Sequence, residues 1–149
     1  MARIVLKSFL TFLVLAPSLA SASWRFDETT ACVITGETPE TVVVVIHDYQ
    51  AGRYTIAVSQ TGQTWVPGPD LSIAFQGGRE LVIGTDKHFL SDEGDVLMVS
   101  DRGFGNVLDG MQFNQRMTIN TGDHSVEVDL NGAAPVVAEF RDCPSFKSS

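Results

Sequence analysis

Apolar and polar residues alternate with a period of two along most of this chain. Tyr54, Ile56 and Val58 alternate with polar or small neighbours. The same pattern recurs in five later segments, whose apolar positions are Leu71, Ile73 and Phe75; Leu81 and Ile83; Val96 and Met98; Met117 and Ile119; and Val126, Val128 and Leu130. Because successive side chains of a strand point to opposite faces, this pattern predicts strands with one buried and one solvent-facing side.

A run of β-branched residues from Val42 to Ile46 interrupts the alternation. Such a run is typical of a central strand that is covered on both faces. Short polar segments that contain glycine separate the predicted strands, as antiparallel hairpins require, at 48–52, 76–78, 91–94 and 120–123. We therefore predict an all-β fold, an antiparallel sandwich or a small barrel of seven to eight strands.

Two segments depart from the strand pattern. Asn131 is a candidate N-cap and Pro135 lies near a first helical turn, which predicts a short C-terminal helix with one apolar face formed by Val136, Val137 and Phe140. The segment 101–114 is compatible with a turn of helix or with an irregular loop. Its glycines at 103, 105 and 110 weaken the prediction of a helix.

The first 22 residues have the order of regions that is typical of a secretory signal peptide. Arg3 and Lys7 are basic, residues 9–16 are apolar, and Ala20-Ser21-Ala22 has the small residues of a cleavage site. The apolar core is shorter than the roughly 18 residues that cross a bilayer. We predict a signal peptide at 1–22, a single β domain at 23–149, and a periplasmic or secreted protein without stable membrane insertion after cleavage. The alternative is a hydrophobic first helix of a cytosolic domain.

Export determines how the two cysteines, Cys32 and Cys143, are interpreted. In an oxidising compartment, two cysteines without others predict one disulfide bond, which here would join both ends of the domain. The C-terminal helix would bring Cys143 to Cys32. A catalytic thiol and a metal ligand are the alternatives, and neither is supported by C-x-x-C spacing.

The charge of the exported segment restricts its partners. After removal of residues 1–22, 8 basic residues remain against 18 acidic ones, a formal net charge of −10. Nucleic acid and anionic membrane surfaces would repel such a protein. The acidity also serves as a solubility device.

Strong catalytic motifs are absent from the sequence. It contains no G-x-S-x-G elbow, H-E-x-x-H helix, P-loop or EF-hand pattern, and we predict a non-enzymatic protein without a cofactor. The alternative starts from His47, His88 and His124, each of which has an aspartate within two residues. If the fold gathered them, they would form a zinc site or a general base. In a chain this acidic, chance also places aspartates beside histidines.

Aromatic residues near turns give the most direct binding hypothesis. Trp65, Phe104 and Phe113 lie beside turn-like or irregular segments, where exposed aromatic anchors commonly contact a partner. The alternative is core packing at strand ends, which is favoured for Trp24. The binding hypothesis predicts that Trp65 and Phe104 are exposed and contact an unknown protein or small ligand.

The two ends of the chain carry a family resemblance. The segments "SWRFDETTAC" and "DLNGAAPVVAEFRDC", together with the signal peptide and alternating strands, resemble the small exported β-sandwich proteins of alphaproteobacteria, some of which are grouped with the invasion-associated locus B family. That resemblance implies a periplasmic or surface protein without catalytic residues. The opening "W…AC" is also similar to the periplasmic metalloprotease inhibitors, small eight-stranded barrels that close their disulfide over a much shorter span. A protease inhibitor is therefore a further alternative.

Overall fold

The computed structural model describes residues 21–145, in which the chain forms ten strands and two helices. The predicted signal peptide lies outside this range except for Ser21 and Ala22. The strands are β1 (Ser23–Glu28), β2 (Cys32–Glu37), β3 (Thr41–Asp48), β4 (Arg53–Gln60), β5 (Leu71–Gln76), β6 (Leu81–Thr85), β7 (Phe89–Leu90), β8 (Val96–Asp101), β9 (Arg116–Thr121) and β10 (His124–Asp129). The helices are α1 (Gly105–Phe113) and α2 (Ala133–Arg141).

The strands form two antiparallel sheets. One has six strands in the order β1-β2-β3-β4-β8-β7, and the other has four in the order β10-β9-β5-β6. Within residues 21–145 the sheets are separate, so the predicted all-β fold is a sandwich, and it ends in the predicted C-terminal helix. It has more strands than the seven to eight expected, because β1, β2 and the two-residue β7 were not recognised in the sequence pattern.

The chain crosses between the sheets at three connections. Strands β1 to β4 form a meander, after which residues 61–70 lead to β5 and β6 in the second sheet. The chain returns to the six-stranded sheet for β7 and β8, and α1 then connects β8 to β9. These crossings place loops and the start of α1 at the ends of the sandwich, where loops can form cavities without interrupting either sheet.

The core lies between the inner faces of the sheets. Ile34, Val45 and Ile56 from the six-stranded sheet are at most 2% exposed, as are Phe75, Met117, Ile119 and Val128 from the four-stranded sheet. Burial of each large side chain contributes roughly 1.5–3 kcal/mol relative to exposure. The period of two in the sequence therefore corresponds to this single apolar layer. Strand β8 is the exception, because Leu97, 2% exposed, faces the core there, and the predicted Val96 and Met98 lie on the opposite face.

Strand β3 is covered on one face only, contrary to the prediction for the β-branched run from Val42 to Ile46. Val43 and Val45 face the core and are 1% and 0% exposed, whereas Val42, Val44 and Ile46 on the opposite face are only half-buried. The prediction that this run is covered on both faces holds for the inner face alone. The β-branched run reflects its position inside the six-stranded sheet, since such side chains favour strand backbone whether or not a second layer covers them.

Helix α2 connects the two ends of the domain. It packs against β1 and β2, and the expected Cys32–Cys143 disulfide is present, with Cα atoms 6.1 Å apart and a sequence separation of 111. The Trp24 indole N–H donates a hydrogen bond to the Asp129 carbonyl at 3.1 Å, so this tryptophan has a packing role. The N-cap of α2 is Gly132, with φ of 88°, and not Asn131 as predicted.

The ambiguous segment 101–114 contains a regular helix, α1, whose buried face includes Val107, Leu108 and Met111. Its glycines do not prevent the helix. Gly105 is its first residue, and Gly110 lies where α1 contacts the Phe75 ring, so that a Cβ there would be 2.4 Å from Phe75 Cγ. Within residues 21–145, neither helix is long and apolar enough to span a membrane.

Candidate ligand-binding cavities

A cavity of about 610 Å³ lies between the two sheets, next to edge strand β6. The start of α1 closes one end of it. Its lining comes from β4, β5, β6, β8 and α1 and comprises Ile56, Ile73, Ile83, Gly84, Thr85, Asp86, Lys87, Val99, Asp101, Gly103, Phe104, Gly105, Asn106 and Val107. We call this space the inter-sheet cavity. It is a gap in the space between the two sheets that core side chains fill elsewhere.

The walls of the inter-sheet cavity are two cross-strand pairs of aliphatic residues. Ile56 pairs with Val99 between β4 and β8, and Ile73 pairs with Ile83 between β5 and β6. Each pair comes from one sheet, and both line the cavity. The arrangement leaves Val99 and Ile83 half-buried, so apolar surface remains available for a ligand.

Charged residues form the rim of the inter-sheet cavity. Asp86 and Lys87 follow β6, and Asp101 ends β8. None of the ion pairs present within residues 21–145 involves these three residues. The Lys87 backbone N–H donates to Thr85 Oγ1 at 3.1 Å, which shapes the turn after β6. The cavity thus combines an apolar interior with a rim of two carboxylates and one ammonium group.

A second cavity, of about 350 Å³, lies on the other side of the segment Gly103–Gly105. Residues of β4, of the β8–α1 connection, of α1 and of the C-terminal end of α2 line it: Tyr54, Arg102, Gly103, Phe104, Gly105, Leu108, Phe140, Arg141 and Cys143. We call it the arginine cavity. Asp101 and Arg102 are consecutive in sequence but line different cavities, so the two spaces differ in the sign of their charge.

Trp65 is buried, which corrects the expectation that it is an exposed anchor. It is 3% exposed, and its indole N–H donates to the Val58 carbonyl at 3.0 Å. The His124 ring meets it edge-on, with ring centroids 5.3 Å apart. The tryptophan lies in the first crossing between sheets, where the chain enters the core layer, and it therefore fills that layer instead of projecting outwards.

Phe104 is also buried, at 5% exposure, and its ring lies 5.6 Å from that of Tyr54. The expectation that it is exposed was wrong, because the turn into α1 directs its side chain between the helix and the sheet. It lines both cavities.

Phe113 is 38% exposed, and the Arg79 guanidinium carbon lies 4.4 Å from its ring centroid. A binding role for Phe113 stays a prediction.

The three histidines have separate partners. His47 stacks on Tyr54 with centroids 4.0 Å apart and planes 2° apart. His88 Nε2 lies 3.0 Å from the Gly68 carbonyl oxygen, and His124 Nε2 lies 2.8 Å from Gln60 Oε1. Within residues 21–145, no group of three or more His, Cys, Asp or Glu residues is placed to hold a metal ion. The fold does not gather His47, His88 and His124 into one group, because His47 lies in β3, His88 in the connection from β6 to β7, and His124 in β10.

Burial lowers the pKa of His47 below its ordinary value of 6.5, and the nearby Asp48 carboxylate opposes this effect only in part. The imidazole is consequently neutral at pH 7. The ring stacks on Tyr54 and lies 6.3 Å from the ring of Phe140, so it packs between the six-stranded sheet and α2.

The sequence analysis missed the residues that form the two cavities. Ile83 was recognised only as an apolar strand position, and Val99, Lys87 and Arg102 were not singled out. Alternation identifies the inner face of a strand, but it carries no information on where that face lacks a partner. The glycines before α1 were the one available signal, because they leave open space beside a chain reversal.

The comparisons with known proteins add no candidate function. No protein-family model matches the chain, and neither the curated proteins nor the solved structures contain a match. The resemblance to the invasion-associated locus B family stays a prediction. The protease-inhibitor alternative likewise stays a prediction.

Proposed function

We propose that this protein is an exported, non-enzymatic binding module that takes a small ligand with an apolar body into the inter-sheet cavity. The observation that carries the proposal is the cavity of about 610 Å³ between the Ile56–Val99 and Ile73–Ile83 pairs. Ligand sites in proteins commonly have volumes of about 300–1,000 Å³, mostly apolar walls and a few polar groups that orient the ligand.

The rim indicates the polarity of the ligand. Two acidic residues, Asp86 and Asp101, and one basic residue, Lys87, line the cavity of a protein whose exported segment has a net charge of −10. An anionic group would be repelled by this surplus of negative charge. The ligand that fits is therefore uncharged or cationic at its polar end, and its apolar body contacts the aliphatic walls.

Export to the periplasm or the cell exterior is part of the proposal. The order of basic, apolar and small residues in 1–22 and the intramolecular disulfide support it, because disulfides persist in oxidising compartments. Fractionation of the producing cells, followed by mass spectrometry of the mature N-terminus, tests this step. We expect Ser23 as the first residue. Uncleaved protein in the cytoplasm would contradict export, and it would leave ligand binding to be judged separately.

Ligand binding is tested with N-phenyl-1-naphthylamine, an uncharged apolar probe whose fluorescence rises in apolar surroundings. We expect saturable binding by the wild-type protein. Ile83→Trp places a larger side chain in the cavity and should weaken probe binding about ten-fold or more. Val82→Trp is the matched control, because Val82 is the preceding residue on the same strand, points to the opposite face and is 71% exposed.

The two variants separate the possible outcomes. Weakened binding in Ile83→Trp with wild-type binding in Val82→Trp supports the inter-sheet cavity as the site. Equal affinity in all three proteins places the probe elsewhere and overturns the proposal, provided that circular dichroism shows that Ile83→Trp is folded. For an unfolded Ile83→Trp, Val99→Phe replaces it, since Val99 is half-buried and lines the same cavity from the opposite sheet.

A further inference from the structure

We infer that the arginine cavity is a second ligand site, selective for a small carboxylate with an aromatic or aliphatic body. This inference goes beyond the proposed function, because it concerns a different cavity and a ligand of opposite charge. It rests on three observations, namely a floor of apolar side chains, a guanidinium group without a protein partner and the absence of Asp and Glu from the residues of 21–145 that line this cavity.

Buried apolar side chains form the floor of the arginine cavity, and its exposed lining is both polar and apolar. Phe104, Leu108 and Phe140 are 5%, 6% and 2% exposed, and the Tyr54 ring stands 5.6 Å from that of Phe104 and 6.2 Å from that of Phe140. These rings come from β4, the β8–α1 connection and α2. With about 350 Å³, the cavity is at the small end of the range of ligand sites, which matches a one-ring or short-chain ligand.

Two of the seven basic residues within 21–145 line this one cavity. Arg141 donates to Asp109 Oδ1 and to Gln112 Oε1 on α1, so its position is held while its charge is partly offset. Arg102 differs, because its guanidinium makes no hydrogen bond or ion pair with any residue of that range. A planar guanidinium binds a carboxylate through two parallel hydrogen bonds, and Arg102 is free to make them.

The charge distribution favours an anion here despite the acidity of the protein. Asp101 lines the inter-sheet cavity, and its carboxylate accepts a hydrogen bond from the Arg102 backbone N–H at 2.7 Å, whereas Arg102 itself lines the arginine cavity. The only carboxylate that contacts either arginine side chain within residues 21–145 is that of Asp109, on Arg141. Tyr54 also lines this cavity, and its hydroxyl makes no hydrogen bond with any residue of that range.

The test compares two probes of the same shape and different charge, 4-fluorobenzoate and 4-fluorobenzamide, by ligand-observed fluorine NMR on the disulfide-bonded protein. We expect the benzoate to bind at least about ten times more tightly than the amide, as charge-assisted hydrogen bonds to arginine imply. Arg102→Gln should remove that difference. Arg53→Gln is the matched control, because Arg53 precedes Tyr54 on β4, points to the opposite face and lines neither cavity.

Chemical-shift mapping in the same samples locates the bound probe. Shifts at Phe104, Leu108 and Phe140 that disappear in Arg102→Gln support the inference. Equal binding of the two probes overturns it, and so does an equal loss in Arg53→Gln, which would indicate a general effect of net charge. Ile83 does not line the arginine cavity, so Ile83→Trp should still bind the benzoate when it no longer binds N-phenyl-1-naphthylamine. The two proposed sites can therefore fail independently in these experiments.

Discussion

The contact between α1 and the four-stranded sheet predicts an unusual response to a glycine substitution. Gly110 is buried inside α1, and a Cβ at this position would lie 2.4 Å from Phe75 Cγ and Cδ2 and 2.5 Å from Cε2. Carbon atoms pack favourably at about 3.5–4.0 Å. Gly110→Ala therefore requires the Phe75 ring or the whole helix to move by about an ångström.

The magnitude follows from two opposing effects. Alanine is more favourable than glycine in a helix interior by about 1 kcal/mol. Overpacking of a filled core costs about 1–3 kcal/mol, and the upper part of that range applies because Phe75 is 1% exposed and has no free space beside it. We expect Gly110→Ala to lower the free energy of unfolding by about 1–2 kcal/mol, because the cost of overpacking exceeds the gain in helix propensity.

Gly105→Ala is the matched control in the same helix. A Cβ at Gly105 meets no atom within 4 Å, so this variant should be as stable as the wild type or more stable by up to about 1 kcal/mol. Urea unfolding followed by tryptophan fluorescence measures both variants, and equal m-values allow the midpoints to be compared directly. If Gly110→Ala is as stable as Gly105→Ala, the close packing of α1 on Phe75 is refuted.

Three further predictions concern the Cys32–Cys143 disulfide, the Trp65 hydrogen bond and the His47 ring. Replacing Cys32 and Cys143 with alanine should lower stability by up to about 4.8 kcal/mol at 25 °C, the loop entropy for a separation of 111 residues; an unchanged urea midpoint would contradict this. Trp65→Phe leaves the Val58 carbonyl without its indole donor and should cost about 1–3 kcal/mol in the same assay. The pKa of His47 is lower in the folded than in the unfolded protein. As the pH falls, the unfolded chain therefore binds a proton at this residue before the folded protein does. The free energy of unfolding should fall below about pH 6.5 and become constant below the folded pKa. His47→Gln should reduce this dependence, and an unaltered stability profile between pH 7 and pH 5 would argue against burial of the ring.

The strand pattern was predictable because side-chain alternation is a local property. Ile56, Ile73 and Val128 show it within a few residues, and each lies on an inner face as expected. Strand β7 was not predictable, since two residues are too short to show a period. Strands β1 and β2 were missed because charged and small residues dilute their alternation, and only pairing with β3 and packing under α2 makes them part of the sheet.

The roles assigned to aromatic residues depended on context that sequence does not contain. Trp65 and Phe104 lie beside prolines and glycines, which indicate loops, and loops usually run over the surface. Here both loops are crossings between sheets, and their aromatic rings fill the ends of the core layer. Phe113, at the C-terminal end of α1, is the one of the three that remained partly exposed.

The amino-acid sequence by itself determined which residues turn inward on β4, β5, β6, β9 and β10, and that two cysteines at the ends of the domain would meet. Both properties depend on local periodicity and on the number of available partners. Only the tertiary structure decided where the two inner faces leave space between them, and that Asp101 and Arg102 face different cavities. The physical reason is that segments distant in the chain form a cavity together. Their relative position cannot be read from the sequence of any one segment.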